Sequence, residues 1–214
     1  MVEIGENATV GLRERKKQRT RATLIDVAVE LCLEQGYENT TVDQIAARAD
    51  VSPRTFSRYF AAKDAVFMAL LEDLVEAVVG ELRHIPPEVP ALTAMRDAHL
   101  AALRRSGVVP RLSDERIGRM LKVINSTPEL RLAAAELHPD AIVTVMAERM
   151  GVEPDDRRLR LVIAVWTAII VTGCADLVGC RDGRELGAGL MAERISATFA
   201  HFAALTSTLP RQPS

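Results

Sequence analysis

Hydrophobic residues along this chain recur at spacings of three and four, which is the repeat of a helix that buries one face. The first such stripe, which Gly36 ends, consists of Leu24, Val27, Ala28, Leu31 and Cys32. No stretch of useful length alternates apolar and polar residues, as a half-buried strand would. The pattern therefore predicts an all-α protein.

Capping signals set the boundaries of the predicted helices. Thr41 can cap a second helix with Gln44 at the capping-box position, and Ser52 followed by Pro53 opens a third. Pro139 should kink or split one of the later helices. The predicted helices are 17–35, 42–49, 53–60, 63–84, 90–106, 114–126, 128–150, 154–180 and 183–209.

Charge is unevenly distributed, although the 214-residue chain has a formal net charge of only −2. Residues 13–63 hold ten lysines and arginines against seven aspartates and glutamates, which leaves the remainder of the chain at a net −5. A basic N-terminal quarter on an acidic body is typical of a nucleic-acid-binding module joined to a second domain.

The segment VSPRTFSRYF, residues 51–60, holds three of the chain's eight aromatic residues. On a helix, Phe56 and Phe60 share one side, whereas Arg54 and Arg58 lie about 160° and 200° away from Phe56. The aromatic side should anchor this helix on its domain and hold the arginines outward. With the short helix before it, the segment predicts a helix-turn-helix, whose second helix enters the major groove of DNA.

The longer segment TTVDQIAARADVSPRTFSRYFAAKDAVFMALL resembles the N-terminal domain of TetR-type transcriptional regulators, at motif level over about residues 17–72. The resemblance implies a three-helix DNA-binding domain with Thr41, Tyr59 and Lys63 on phosphates and the third helix on bases. Two positions depart from the family pattern, because Asp50 stands in place of a frequent glycine and Ser57 in place of a frequent aromatic residue. Aspartate tolerates a left-handed turn, whereas Ser57 leaves base specificity at its own position open.

The expected DNA contacts combine the residue chemistry with this resemblance. Arginine matches guanine in the major groove, threonine can meet the thymine methyl group, and hydroxyl and ammonium groups suit phosphates. The basic run at 13–21 is a further source of phosphate contacts, or else it enters a minor groove. The predicted DNA-binding residues are Arg19, Thr41, Ser52, Arg54, Thr55, Ser57, Arg58, Tyr59 and Lys63.

A single short helix in one groove binds weakly, so we expect a homodimer on a double-stranded inverted-repeat operator. The last two long helices are the candidates for the interface, because the helix over 157–180 is apolar on more than one face and the final helix is rich in small residues. The apolar positions of the final helix are Leu186, Leu190, Ala197, Phe199, Ala200, Phe202 and Ala204. The resemblance implies the same four-helix interface.

The resemblance also implies a ligand cavity in the helical body, which is rich in methionine. Methionine suits either a plain core or an adaptable cavity, and a polar residue such as Asn125 either orients a ligand or bonds to its own helix. Both alternatives stay open at this point. The predicted pocket residues are Met68, Met120, Ile124, Asn125, Met146, Trp166 and Ile170.

The effector that would occupy this cavity is expected to be small and hydrophobic. The RTFSRYF and NSTPELR segments are more similar to actinobacterial members of the family whose ligand domain is linked to acyl-CoA-like molecules. An acyl-CoA-like effector is therefore one form that the ligand could take.

These features predict four segments: a disordered stretch at 1–12, a helix-turn-helix DNA-binding domain with a basic arm at 13–62, a helical ligand-binding and dimerisation domain at 63–209, and a tail at 210–214. The expected function is a ligand-responsive transcriptional regulator, with a repressor favoured. The alternative is a repressor or activator that binds DNA without any ligand.

Catalysis, cofactors and a membrane span are not expected. The four histidines are scattered, and the sequence contains no HExxH, glycine-rich phosphate loop or GxSxG motif. The three cysteines include no CxxC pair and are expected to be reduced thiols in a cytoplasmic protein, with Cys32 in the core. The longest uncharged apolar run, 161–175, is 15 residues, which is too short to cross a membrane.

Overall fold

The structure is a computed structural model that describes residues 5–105, 113–137, 139–175, 177 and 186–207. Within these ranges all the regular secondary structure is helical, as the sequence predicts. The helices are α1 (Gly5–Gln35), α2 (Val42–Arg48), α3 (Pro53–Tyr59), α4 (Lys63–Leu82), α5 (Ala91–Arg104), α6 (Asp114–Ser126), α7 (Pro128–Glu136), α8 (Asp140–Met150), α9 (Arg157–Cys174) and α10 (Ala188–Ser207).

The chain forms two compact units, Met1–Leu70 and Leu71–Ser214. The division falls inside α4, later than the predicted boundary at 62/63. The physical reason is that Val66 and Phe67, at 0% and 1% exposed, belong to the core of the first unit. The first half of α4 is therefore part of the same unit as α1, α2 and α3.

Helix α1 begins at Gly5, well before its predicted start at residue 17. Residues 1–12 are predicted from the sequence to be disordered, but from residue 5 onward the structure is helical. Residues 1–4 lie outside the described part of the chain. The segment GENATVGLRERKKQRTR contains no proline and is rich in strong helix formers, so the helix continues through it. Arg15 Nε donates to the Gly11 carbonyl at 3.0 Å within this extension.

Local caps hold the two short helices in place. Thr41 and Gln44 form the predicted capping box, in which Gln44 N donates to Thr41 Oγ1 and Thr41 N donates to Gln44 Oε1. Ser52 Oγ accepts from Thr55 N at 3.1 Å, with proline at the first helical position. Asp50 lies in the intervening turn at φ 53°, which confirms that aspartate takes the left-handed conformation there.

The core of the first unit is built from aromatic and aliphatic side chains of its four helices. Phe56 and Phe60 are 1% and 5% exposed, and their ring centroids lie 5.6 Å apart. Leu24, Ile45 and Phe67 are also fully buried in this unit. The predicted aromatic side of α3 is therefore the buried side, and the opposite side faces solvent.

The second unit is a helical bundle in which α10 packs against α9 and α5. Gly173 makes part of this packing possible, because a Cβ there would lie 2.9 Å from Thr198 Oγ1 and 3.1 Å from the Arg194 carbonyl oxygen. The break predicted at Pro139 is confirmed, since α7 ends at Glu136 and α8 begins at Asp140.

Helices α9 and α10 both start later than predicted because carboxylates cap them. Asp156 Oδ1 accepts from Arg158 N at 2.7 Å, and Asp114 Oδ1 accepts from Ala188 N at 2.8 Å. The first contact starts α9 at 157 instead of 154, and the second starts α10 at 188 instead of 183. Cys180 and the predicted tail at 210–214 lie outside the described residues.

Helix α6 meets the segment that leads into α10 at a point where only glycine fits. A Cβ on Gly118 would lie 1.9 Å from the Leu186 carbonyl oxygen, whereas a Cβ on Gly80 in α4 would meet nothing within 4 Å. Gly118→Ala should therefore lower the free energy of unfolding by about 1–3 kcal/mol, because backbone must move.

Urea unfolding followed by circular dichroism measures this effect. The matched control is Gly80→Ala. It should raise the free energy of unfolding by about 0.5–1 kcal/mol, because alanine loses less backbone conformational entropy than glycine when a helix forms. Equal changes in the two variants would show that the close approach at Gly118 contributes nothing to stability.

Candidate nucleic-acid interface and ligand cavity

The solvent-facing side of α3 carries two arginines whose charges are not neutralised locally. Arg54 and Arg58 are exposed, and in the described part of the chain neither forms an ion pair with a carboxylate. Arg48 on α2 differs, because its guanidinium lies 2.9 Å from Glu34 and 3.5 Å from Glu30. Of the arginines on α2 and α3, those on α3 are therefore the ones available to an external anion.

Hydroxyl groups beside these arginines are partly committed to helix capping. Ser52 Oγ lies 3.0 Å from Thr55 Oγ1, so the two hydroxyls share one hydrogen bond at the start of α3. Ser57 Oγ donates to the Pro53 carbonyl at 3.1 Å, within its own helix. Its hydroxyl hydrogen is therefore already used, and Ser57 supplies less to a partner than Arg54 or Arg58 does.

Tyr59 is the last residue of α3 and Lys63 is the first residue of α4, and both are half-buried. The Arg58 guanidinium lies 5.3 Å from the Tyr59 ring centroid, which positions the two side chains together. Lys63 Nζ donates to the Tyr37 carbonyl at 2.9 Å and lies 3.8 Å from the centroid of the Tyr37 ring. An ammonium has three donor hydrogens, so Lys63 keeps capacity for a phosphate.

The N-terminal half of α1 and the outward side of α3 border a groove, here called the basic groove. Its lining consists of Arg13, Glu14, Lys16, Lys17, Thr20, Val51, Thr55, Arg58 and Tyr59. Arg19 lines a neighbouring groove together with Ala49 and Val51. Because the basic run is a helix and not a disordered arm, it presents its lysines and arginines at set positions beside α3.

The second unit encloses a mostly apolar cavity of about 150 Å³, here called the cavity. Its residues come from α4 to α10 and the α7–α8 connection. They are Leu71, Leu74, Val75, Met95, His99, Met120, Leu121, Ile124, Asn125, Arg131, Ala134, Leu137, Pro139, Ile142, Ile163, Trp166, Thr167, Ile170, Val171, Cys174 and Met191.

Two of the predicted pocket residues do not line this cavity. Met120, Ile124, Asn125, Trp166 and Ile170 line it, whereas Met68 and Met146 do not. Met68 lies in the half of α4 that belongs to the first unit. Met146 is 0% exposed and packs as ordinary core, which is the alternative use of methionine.

A histidine that the sequence analysis did not select lies in the cavity wall beside Trp166. The Trp166 Nε1–H group donates to His99 Nε2 at 3.2 Å, and His99 Nδ1 lies 2.7 Å from the Met95 carbonyl. Burial lowers the pKa of His99 to about 4, so the ring is neutral near pH 7, with its proton on Nδ1. The two partners are 67 positions apart, and no local pattern links them.

Comparison with known proteins identifies the group to which this helical arrangement belongs. The family described as "Bacterial regulatory proteins, tetR family" matches residues 24–70. The transcriptional regulator TcmR of Streptomyces glaucescens is 38% identical over 165 residues, which cover 74% of this chain and 73% of TcmR. The chain belongs to the TetR family. It is therefore a DNA-binding transcriptional regulator.

Two further comparisons extend the likeness beyond the first unit. The mycofactocin biosynthesis regulator MftR of Mycobacterium tuberculosis is 28% identical over 145 residues, covering 66% of this chain and 71% of MftR. The structure of FadR from Thermus thermophilus, a TetR-family repressor in complex with lauroyl-CoA, has a TM-score of 0.51 at 22% identity. It covers 90% of this chain and 97% of FadR. This structural likeness shows that the two proteins share a fold.

The TetR-family assignment agrees with the expected absence of catalysis, because these relatives are named as transcriptional regulators. Cys32 is 7% exposed, and burial raises the pKa of its thiol, which leaves it protonated in the core. No helix in the described ranges has the length and apolar character needed to cross a membrane.

Proposed function

We propose that this TetR-family protein is an effector-responsive repressor that binds an inverted-repeat operator as a homodimer and is released by a small apolar molecule. The cavity carries the effector part of this proposal. Protein interiors are close-packed and seldom leave voids much larger than a water molecule, whereas this chain keeps about 150 Å³ open. A body that served only for dimerisation would have no need of that space.

Operator reading is assigned to the outward side of α3. Arg54, Thr55 and Arg58 would meet base edges, since arginine pairs with guanine O6 and N7 and threonine with the thymine methyl group. The buried pair of Phe56 and Phe60 supports this assignment, because it holds α3 rigidly on its unit.

Phosphate contacts would set the register of α3 on the duplex. Thr41, Ser52, Tyr59, Lys63 and Arg19 are the candidates for this role. The basic groove adds charge from α1, and each phosphate that it neutralises should contribute about −0.9 to the slope of log K against log salt.

Dimerisation is assigned to the solvent-facing sides of α9 and α10. Ala164 and Ala168 on α9, and Ala197, Ala200 and Ala204 on α10, are exposed in the single chain. Small residues allow two helices to approach closely, so two such pairs suit a four-helix interface. Leu190 is 7% exposed within one chain and belongs to the protomer's own core.

An effector would act by favouring one separation of the two reading helices over another. Its influence cannot exceed the difference between its affinities for the two states. Helix α4 is the proposed lever, because Val66 and Phe67 lie in the first core while Leu71, Leu74 and Val75 line the cavity.

The size of the cavity bears on the effector. A buried apolar cavity of about 150 Å³ accommodates a molecule near the size of benzene. The related FadR fold holds lauroyl-CoA, which makes acyl-CoA a candidate class. A long acyl chain would have to widen the cavity, whereas a compact apolar effector fits it directly.

A two-variant experiment tests the proposal. Double-stranded DNA selected from a random pool by the protein is labelled, and its release is measured by fluorescence anisotropy against compact ketones and lauroyl-CoA. Trp166→Phe should keep DNA affinity but raise the effector concentration for half-release about five- to tenfold, because the cavity loses aromatic contact.

Arg54→Ala is the complementary variant, because it changes the DNA-binding side and leaves the cavity intact. It should lose DNA affinity while its thermal stabilisation by the same effector persists. The rival function, a regulator without a ligand, predicts that no compound releases the DNA and that Trp166→Phe changes nothing. Selected sequences that contain no inverted repeat would contradict the dimer.

A further inference from the structure

Polar side chains are few among the described residues of the cavity wall, and two of them, His99 and Trp166, are already paired with each other. His99 uses both ring nitrogens, one toward the Met95 carbonyl and the other toward Trp166 Nε1. Trp166 has no other hydrogen-bonding atom in its side chain. This pair therefore offers an occupant only ring faces and edges, and no free donor or acceptor.

Asn125 is different, because its amide nitrogen is buried without a hydrogen-bond partner among the described residues. The side chain lies on α6 and lines the cavity between apolar neighbours such as Leu121 and Ile124. A buried amide donor that bonds to nothing is costly and uncommon in native proteins. The unused Nδ2–H₂ group is accordingly a polar feature that an occupant can satisfy.

The rim of the cavity near Asn125 carries a second group of hydrogen-bond donors. Arg131 lines the cavity and is exposed at its surface, and its Nη1 donates to the Asn125 main-chain carbonyl at 3.4 Å. Both the amide nitrogen and the guanidinium are donors without acceptor capacity. Among the residues that the structure describes, no aspartate or glutamate lines the cavity. An occupant with an oxygen acceptor at this end is favoured, and one with a bare ammonium is disfavoured.

We infer that the effector is a compact ring-sized molecule, apolar except for one carbonyl oxygen, and that this oxygen accepts a hydrogen bond from Asn125 Nδ2. The inference rests on the proposed function, since it describes the occupant of the same cavity. Asn125 is then the residue that selects a carbonyl compound over a hydrocarbon of equal shape.

The test uses two probes of nearly identical size, cyclohexanone and methylenecyclohexane, which differ in an oxygen and a CH₂ group. Their dissociation constants are measured by NMR titration of the methionine methyl groups of the full chain, because Met95, Met120 and Met191 line the cavity. Cyclohexanone should bind about five- to tenfold more tightly than methylenecyclohexane, the range for one net hydrogen bond.

Asn125→Leu keeps the volume and removes the donor, so the preference for cyclohexanone should disappear or reverse. Methylenecyclohexane binding then reports whether the cavity of the variant is intact. Thr167→Val is the matched control, because it removes a different polar group of the cavity, a hydroxyl, with little change of shape, and it should keep the wild-type preference. Asn125→Asp, which replaces the donor with a carboxylate oxygen, should weaken cyclohexanone binding below that of Asn125→Leu.

The outcomes separate this inference from the function on which it rests. Equal binding of both probes to the wild type, or an unchanged preference in Asn125→Leu, would overturn the role of Asn125. Failure of both probes to bind would overturn it as well. If cyclohexanone shows the expected preference yet neither it nor larger carbonyl compounds release DNA, the carbonyl site stands and the effector-responsive function is wrong.

Discussion

Replacing Arg54 and Arg58 together by alanine should weaken binding to the selected inverted repeat by at least ~100-fold, with the fold unchanged. A bidentate arginine–guanine contact contributes about 1–3 kcal/mol of discrimination, and a dimer loses each contact twice. Both side chains are exposed on α3 and make no ion pair within the described ranges, so their loss should cost little stability. Fluorescence anisotropy with specific and scrambled duplexes measures the change.

Arg48→Ala is the control for the loss of a surface arginine from the same unit. Its guanidinium is held by Glu34 and Glu30, so its removal should leave specific binding nearly unchanged. If the double variant instead weakened all sequences alike and reduced the salt slope by about 0.9 per lost contact, the two arginines would be phosphate contacts and not base contacts.

The free energy of unfolding should fall by up to roughly 3 kcal/mol between about pH 6.5 and pH 4 through His99 alone. Burial holds the pKa of His99 at about 4 in the folded chain, against an ordinary value of about 6.5 when unfolded. Above about pH 6.5 His99 is neutral in both the folded and the unfolded chain, so its contribution to the free energy of unfolding is fully present. Between the two values only the unfolded state takes up the proton, so stability is lost as the pH falls.

Urea unfolding at pH 7, 6 and 5 measures this dependence, with His99→Gln as the comparison. The wild type should lose more stability than the variant over this interval, and parallel losses would show that His99 does not contribute. The ring signals of His99 give a second measurement that needs no variant. They should keep their neutral positions at pH 5, whereas movement near pH 6.5 would contradict the burial argument.

The helix-turn-helix could be predicted closely because its determinants are local. A capping threonine, a serine–proline start and two phenylalanines four residues apart each act within one or two turns of helix. The same local reasoning failed for the start of α1, because it predicts residues 1–12 to be disordered and the helix to begin at residue 17, whereas the helix begins at Gly5.

The cavity could be predicted only in outline, because its wall is assembled from seven helices. Trp166, Asn125 and Met120 stood out by residue type, and the structure places all three in the wall. His99 could not be paired with Trp166, since 67 positions separate them. The close contact between Gly118 and Leu186 depends likewise on how α6 approaches the segment that leads into α10, which periodicity does not encode.

Trp166 is the single tryptophan of the chain, and its indole lies in the cavity wall with its N–H bound to a neutral imidazole. All intrinsic tryptophan emission of this protein therefore originates at one site, 3% exposed. A molecule that enters the cavity changes the surroundings of the indole ring, and so changes the wavelength and lifetime of its emission. The chain thus contains its own fluorescent probe. Occupancy of the cavity can be followed in unlabelled protein in real time, both in free protein and in protein bound to DNA.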